Sequence, residues 1–466
     1  MSVDGRPSDP RRADAARNDE RILEAAKRLL EHSSSATLSD IAAAAGVSRS
    51  SVYRRFKDRD QLVSELDARP EDGSVRPARD PLPAGRLGRR RSLALDAIQV
   101  FDVVSPALLP EQLVAEAQRI AGVPVALYVL DIDGSHLLHM AGPQHLGEVL
   151  EAPFAIGPEL DAHGIGTLRE SLAERAGVEL YALWLRGRAT GVLVAFGRAR
   201  EPLTEMARQA AAAVTLADRY TDVFARAQRR KQPRAAAEIQ QSLLPPRIMR
   251  VTGAEVAGNV LPTYEVAGDW FDVVENADGI WITLADGLGG STRAAAASAV
   301  GLGALRASRR SGASIAESLL VMHQTLRELP GPRAEMSALV ARWDPGSGEL
   351  ALANCGHDAP VILSDNGDAE LISLPPSLGL GGRSTPKPAE ASHRLLAGDR
   401  LVLFSDGVVG SAEGQAGLGE KGVIEAALCQ QGASAADTVR EIHRSVREQT
   451  GGELSDDATV VCLSVG

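Results

Sequence analysis

Two periodicities divide the chain. Near the N-terminus apolar residues recur at the three-to-four spacing of amphipathic helices. Ile22, Leu23, Ala25, Ala26, Leu29 and Leu30 mark one helix, and Leu38, Ile41, Ala42 and Ala45 mark a second. Thr37 can N-cap that second helix, with Asp40 in a capping-box-like position. Gly46-Val47 then predicts a turn, Ser48 can cap a short third helix from Arg49 to Phe56, and Lys57-Asp58-Arg59 opens a fourth that holds Leu62, Val63 and Leu66. From Arg69 to Arg91 the pattern stops: Pro70, Pro77, Pro81, Pro83, Gly73, Gly85 and Gly88 leave too little apolar surface to order the segment, which predicts a linker.

Farther along, strand and helix patterns alternate. A helix around Pro110 to Ala121 precedes an apolar run from Val123 to Leu130, an Asp131-Ile132-Asp133-Gly134 turn and a strand from Leu137 to Met140. Glu179 to Leu185 and Gly191 to Phe196, joined through Arg186-Gly187-Arg188, read as a hairpin, and a helix from Glu205 toward Tyr220 follows. The chain is expected to stay helical from Ala210 through Arg226 and again, after Pro233, through Leu244, where Pro245-Pro246 must end the helix.

In the C-terminal half the chemistry becomes visible. Ile280 to Ala285 and Arg400 to Phe404 read as buried strands, each delivering an Asp-Gly pair to its C-terminal end, Asp286-Gly287 and Asp406-Gly407. Ala458 to Val465 is a strand that instead begins beside Asp456-Asp457, and Val266-Ala267-Gly268-Asp269 is expected to set its aspartate where a strand ends. Asp-Gly alone is first of all a turn dipeptide. Several carboxylates gathered from distant segments repel one another, so a set of them calls for a cation, and all-oxygen ligands favour magnesium or manganese over zinc.

At these residues the sequence resembles the SpoIIE-type (RsbU-like) branch of the metal-dependent type-2C serine/threonine phosphatases, from about Ala236 to the C-terminus. Six motifs occur in order: Ile239-Gln240-Gln241-Ser242-Leu243-Leu244-Pro245-Pro246, Gly268-Asp269-Trp270-Phe271-Asp272, Asp286-Gly287-Leu288-Gly289, Asn354-Cys355-Gly356-His357, Gly398 through Gly407, and Asp456-Asp457-Ala458-Thr459. The resemblance implies that Asp286 bridges two Mn2+ or Mg2+ ions, with the Gly287 carbonyl as a further ligand. Asp406 and Asp456 would complete one site and Asp269 would serve the other, so that Asp286, Asp406 and Asp456 carry catalysis. Asp272, Asp457, Asn354 and His357 would support these ligands from outside, Asp272 and Asp457 being equally readable as solvated. Relatives often carry Gly-His-Gly where this chain has Gly289-Gly290-Ser291, which leaves His357 as the histidine to weigh as a general acid against a loop-ordering role. The resemblance also makes Ile239 to Pro246 a switch, with Ile239, Leu243 and Leu244 packing on the phosphatase core.

Two further resemblances fill the rest of the chain. Thr37 through Phe56 resembles the TetR DNA-binding domain, which implies that Arg49, Ser50, Ser51 and Arg54 approach base edges while Thr37, Ser48, Tyr53 and Arg59 serve the DNA contact and its phosphates. A small helical bundle kept for packing is the alternative. Leu93 to Arg226 is similar in element order to a GAF sensor domain. His136, His139, His145 and His163 within it could suggest a metal or haem pocket, although scattered histidines are the plainer reading.

Charge and composition sharpen this division. Residues 1 to 91 hold 19 Lys+Arg against 15 Asp+Glu, a net of +4, whereas the 466-residue chain nets −11, so the remainder carries −15. A basic front on an acidic body fits a protein that meets nucleic acid at one end only. Three cysteines, Cys355, Cys429 and Cys462, lack ligand spacing and an even count. No apolar run approaches the roughly 18 residues of a membrane span, the N-terminus has no signal-peptide core, and the chain is expected in the cytoplasm. A kinase is disfavoured by the lack of a Gly-rich phosphate loop.

The expected fold is therefore multidomain: an all-α helix-turn-helix at 1–68, a disordered linker at 69–92, an α/β GAF-like sensor at 93–226, a helical switch at 227–246 and, at 247–466, an α+β type-2C phosphatase domain layered as a β-sandwich flanked by helices. The expected activity is hydrolysis of a phosphoserine or phosphothreonine on a STAS-type anti-sigma-factor antagonist, by a homodimer that also binds duplex DNA and no membrane. A DNA-binding regulator whose phosphatase-like domain is only a receptor or dimeriser is the competing reading.

Overall fold

The structure is a computed structural model. It describes residues 104–466 apart from 174–176, 233, 263–267, 290–291, 411–416 and 430–431, together with Ala25, Ala26, the helix Leu38–Ala45, Val52 and Phe101. The chain divides into two compact units, Met1–Ala84 and Gly85–Gly466. In the first, Ala25, Ala26, Ile41, Ala42 and Ala45 are buried, the inward face expected from the helical spacing, Val52 is buried as well, and Ala44 is exposed. The expected DNA-contacting residues Thr37, Ser48, Arg49, Ser50, Ser51, Tyr53, Arg54 and Arg59, and the linker 69–92, lie outside the described residues.

The second unit begins with a middle domain. Helix α1 (Leu109–Ala121) has proline in its first turn and ends on Gly122 in the left-handed conformation, as its sequence signals. Strands β1 (Val125–Leu130), β2 (His136–Ala141), β3 (Val149–Glu151), β4 (Val178–Leu185) and β5 (Arg188–Phe196) form one antiparallel sheet in the order β3-β2-β1-β5-β4. The β4–β5 hairpin falls where it was expected. One face of the sheet packs on α1 and α3 (Thr204–Ala217), and the other on α2 (Ala162–Ala173).

The connector departs from expectation. Helix α3 stops at Ala217, a separate short helix spans Val223–Ala227, and α4 runs only from Ala235 to Leu243. Arg229 accounts for the folded-back path: its guanidinium donates to the Ala225 carbonyl and to Glu238 on α4, while the Gln228 carbonyl accepts the Ile132 backbone N–H at 3.0 Å. Charged and polar residues between Asp218 and Arg234 therefore turn the chain against the middle domain instead of continuing a straight helix.

The C-terminal domain has four layers. A six-stranded antiparallel sheet, β13-β12-β15-β16-β7-β6, faces a five-stranded one, β14-β11-β10-β9-β8. Their strands are β6 (Ile248–Val251), β7 (Ala254–Leu261), β8 (Trp270–Asn276), β9 (Gly279–Gly287), β10 (Met336–Trp343), β11 (Glu349–Cys355), β12 (Val361–Leu363), β13 (Ala369–Leu371), β14 (Ala391–Arg394), β15 (Arg400–Phe404) and β16 (Ala458–Val465). Between the sheets lie Phe271, Ile282, Leu284, Leu339, Leu403, Val461 and Leu463, each at 0–1% exposure. Full burial of side chains this size contributes roughly 1.5–3 kcal/mol apiece before entropy is charged against it. Helices α5 (Thr292–Arg310) and α6 (Ile315–Arg327) cover the outer face of the five-stranded sheet, and α7 (Gly419–Leu428) and α8 (Ala435–Thr450) that of the other. Ser314 with Glu317 and Ser434 with Asp437 form capping boxes that fix where α6 and α8 begin.

Candidate metal centre and active site

Sheet register explains how the aspartates meet. In the five-stranded sheet Trp270 pairs with Ala285, so Asp269, one residue before β8, lies beside Asp286 near the end of β9. In the six-stranded sheet Phe404 pairs with Val460, so Asp406, just past β15, lies beside Asp456-Asp457, just before β16. Each sheet thus brings its carboxylates to one rim of the sandwich. Close backbone approach requires glycine at two places: a Cβ on Gly268 would stand 2.2 Å from the Gly287 carbonyl oxygen, and one on Gly407 would stand 2.1 Å from that of Asp457.

The carboxylates act on one another. Burial first, then the charges of Asp286 and Asp457, raise the Asp269 carboxyl well above the usual range, against hydrogen bonds from Thr459 and Ser405. Burial and then the Asp406 charge push Asp286 up to about 7. Asp456 is raised by burial and by Asp406, and Asp358 by burial, Asp406 and Glu420. Among the described residues no three His, Cys, Asp or Glu side chains form a ready-made cation cage. The donor set nevertheless fits a hard divalent ion: it is all oxygen, mutually repulsive, and Asp406 keeps one carboxylate oxygen, Oδ1, buried without a hydrogen-bond partner.

Several residues that organise this rim were not expected from the sequence. Gln240 of α4 is 1% exposed; its amide donates to the Asp269 carbonyl at 2.9 Å and to Asp457 Oδ2 at 2.7 Å, so one side chain ties the two sheets' rims together. Thr459 donates its hydroxyl to Asp269 Oδ2 across the sandwich. Ser298 of α5 donates to the Gly268 carbonyl at 2.7 Å, and Ser405 accepts from the Thr459 backbone at 3.0 Å. A helical glutamine one position from Ile239 carries no periodic sign of burial, since the apolar stripe marks its neighbours instead.

Other expectations need correction. Asp272 neither supports the cluster nor is solvated: it is 3% exposed on the helix-facing side of β8 and pairs with Arg306 and Arg309 of α5, both at 2.9 Å. Asp457 is not solvated either, at 1% exposure. Burial lowers His357 to about 4, and its Nε2 is buried and unpartnered, so the imidazole is neutral near pH 7 and lacks the imidazolium proton of an efficient general acid. Its loop is ordered by Asn354, which donates to the His357 carbonyl at 2.6 Å and accepts the His357 N–H at 2.7 Å. Leu243, Leu244 and Ile239 are all half-buried, and of the three Leu243 and Leu244 pack on the core that contains Trp270 and Leu305. The four middle-domain histidines do not converge: His136 meets Asp131, His139 the Gly142 carbonyl, His145 the ring of Phe196 and His163 the carboxylate of Asp437.

Residues 276–466 match the family model for Stage II sporulation protein E. The C-terminal half carries a SpoIIE-type phosphatase domain. Residues 22–66 match the model for bacterial regulatory proteins of the tetR family. The phosphoserine phosphatase RsbU of Bacillus subtilis (strain 168) is 23% identical over 232 residues, 49% of this chain and 68% of that protein. Among solved structures, the RsbU and RsbW domains of a Mycobacterium tuberculosis protein are 22% identical over 48% of this chain and 63% of that one, with a TM-score of 0.39. The SiaA-PP2C domain of Pseudomonas aeruginosa is 19% identical over 45% of this chain and 86% of that one, also at 0.39. This chain therefore spans less than two thirds of the first of these structures. Within the SpoIIE-type phosphatase domain all the expected ligand aspartates stand at a single rim. Among the described residues no helix is long and apolar enough to cross a membrane.

Proposed function

We propose that the SpoIIE-type domain hydrolyses phosphoserine or phosphothreonine in a protein, using two Mn2+ or Mg2+ ions held by Asp286, the Gly287 carbonyl, Asp406, Asp456 and Asp269. The observation that carries this reading is the convergence of carboxylates from both sheets at one rim. Ions of this class, when bound, activate a water and offset phosphoryl charge. The chain's own residues hold and orient the ligands: Thr459 and Ser405 fix Asp269, Gln240 fixes Asp457 and the Asp269 backbone, and Ser298 with the Gly287 N–H fixes Gly268. With His357 neutral, no side-chain acid is assigned, and the departing alkoxide takes its proton from water.

By analogy with the relatives, a STAS-type anti-sigma-factor antagonist is the substrate we favour. The middle domain serves as a GAF-like sensor, and Ile239, Leu243 and Leu244 form the switch that links it to the rim. The match of residues 22–66 supports duplex DNA binding, which we assign to a homodimer. Leu108, Leu216 and Tyr220, exposed beside an apolar cleft of about 570 Å3 on α3, supply a surface for dimerisation. Hydrolysis of p-nitrophenyl phosphate with manganese tests the central reading: the wild type should turn over, Asp286→Asn should lose at least about two orders of magnitude, and chelation should reproduce that loss. Equal rates would leave the domain a receptor on a DNA-binding regulator.

A further inference from the structure

The middle domain does not simply precede the phosphatase domain; it reaches into it. Between β3 and α2 the chain bulges away from its own sheet before rejoining it at Leu160, which pairs with Ala189 of β5, and within that bulge Ile156 is buried to 2% exposure in the core beneath the six-stranded sheet, with Ile248, Ala257 and Leu261. Three residues on, Glu159 is 5% exposed. Its Oε1 pairs with Arg188 Nε at 3.0 Å, and its Oε2 accepts the backbone N–H of Ile248 at 2.8 Å. A carboxylate of the middle domain therefore grips the first strand of the phosphatase domain.

Arg247, the residue before Ile248, is 6% exposed beneath the same loop, so close that a Cβ on Gly157 would stand 3.2 Å from its Cγ. Its guanidinium donates to the Pro245 carbonyl and to Gln241 Oε1, both at 2.7 Å. Arg247 is tied to Glu159 through one backbone: the carboxylate that pairs with Arg188 also accepts the N–H of Ile248, the residue directly after Arg247. Helix α4 has only nine residues, too few to hold a position alone, and its last carbonyls need outside donors before Pro245-Pro246. Arg229 holds its first half through Glu238, and Arg247 holds its end. Gln240, the side chain that spans the aspartate rim, is next to Gln241.

We propose that Glu159 is a positioning residue for the phosphatase site, acting through Arg247 on the end of α4 and so on Gln240. The inference rests on the phosphatase reading of that site. An ordinary buried domain contact would be needed only for stability; this chain of contacts ends on the Asp269 carbonyl and the Asp457 carboxylate and therefore sets how well the rim takes a cation. Neutralising Glu159 removes the counter-charge of Arg188 and weakens the grip on the Ile248 N–H, so that the start of β6 that carries Arg247 shifts and Gln241 and Pro245 lose their donor.

The test uses the full chain, with manganese uptake followed by the spin-resonance signal of the free ion alongside p-nitrophenyl phosphate turnover and thermal melting. Glu159→Gln should raise the manganese half-saturation about tenfold, as loss of groups behind metal ligands does, with turnover at saturating manganese little changed. Gln241→Ala, which removes a half-buried acceptor and leaves the fold safe, should raise it about threefold, the worth of one ordinary hydrogen bond. Gln240→Ala combined with Glu159→Gln should be no worse than Gln240→Ala alone, because both act through one helix. A folded Glu159→Gln chain with wild-type uptake overturns the inference, as do additive effects in the double variant. If Glu159→Gln does not fold, Gln241→Ala decides: wild-type uptake there overturns it equally. In all these outcomes the phosphatase reading survives, provided Asp286→Asn abolishes uptake; a wild-type chain with neither uptake nor turnover sinks both.

Discussion

The aspartate rim has two unlike halves. Asp269 and Asp457, each 1% exposed, are already engaged by the protein: Thr459 and Ser405 serve Asp269, and Gln240 serves Asp457. Asp286, Asp406 and Asp456 are only partly buried; Asp406 charge raises both of the others, and its own Oδ1 has no partner. Repulsion reaches both halves, since the charges of Asp286 and Asp457 raise Asp269, but side-chain donors from elsewhere in the fold, Thr459, Ser405 and Gln240, serve only the first. The difference teaches which part of the site the scaffold builds and which part it leaves for an external charge.

That contrast is broken most directly by removing one charge from each half. Asp406→Asn should lower turnover by at least about two orders of magnitude and yet raise the stability of the metal-free chain by about 1 kcal/mol, because a repulsion is gone. Asp457→Asn should do the opposite to stability, costing about 2 kcal/mol as Gln240 loses a charged partner inside the protein. Urea midpoints measured in chelator decide the matter. A loss of stability in both variants would mean that the open half is as protein-satisfied as the closed one.

Acid provides the next test. His443 of α8 lies behind β16, hydrogen-bonded to the backbone of Ala458, and burial, then the Arg447 charge, lower it to about 3. Its folded pKa lies below the unfolded value of about 6.5, so it stabilises the fold above pH 6.5 and that contribution is lost as pH falls toward 3. At pH 5 the loss is about 2 kcal/mol. His443→Gln should flatten the stability profile between pH 7.5 and 5. A variant that follows the wild-type curve would place the acid sensitivity elsewhere. On the closed half itself, Gln240→Ala should weaken manganese affinity about tenfold while turnover at saturating metal stays close to wild type. Loss of maximal turnover instead would put Gln240 in contact with the reacting groups.

Much of this rim was legible because strands announce themselves. Ile280–Ala285 and Arg400–Phe404 are apolar runs closed by Asp-Gly, and their positions follow from period and punctuation alone. What escaped was information carried between elements. Gln240, Thr459 and Ser298 look like ordinary polar residues until two sheets and two helices are assembled around them. Asp272 shares its motif with Asp269, but one strand residue reverses the face and three carry it away from the rim, where Arg306 and Arg309 take it up. The straight connector failed for a related reason: helical propensity continues past Ala217, but Arg229 finds its partners, Ala225 and Glu238, only when the chain folds back.

The smallest expected effect bears on whether the closed half is adjustable. Leu243 is half-buried where α4 lies on the core that contains Trp270 and Leu305, so Leu243→Ala should cost about 1 kcal/mol, below the range for a fully buried leucine. Leu319 of α6 is 0% exposed in the same core but touches neither α4 nor the rim through any hydrogen bond, and Leu319→Ala should cost about 3 kcal/mol. If stability alone governed the site, the second change would disturb metal uptake more. Helix α4 carries Gln240, however, so Leu243→Ala should shift the manganese titration by about twofold through a small tilt of that helix, and Leu319→Ala should leave it unmoved at temperatures where both chains are folded. Shifts that rank with the stability losses would show that packing as a whole, and not the seat of α4, tunes the rim.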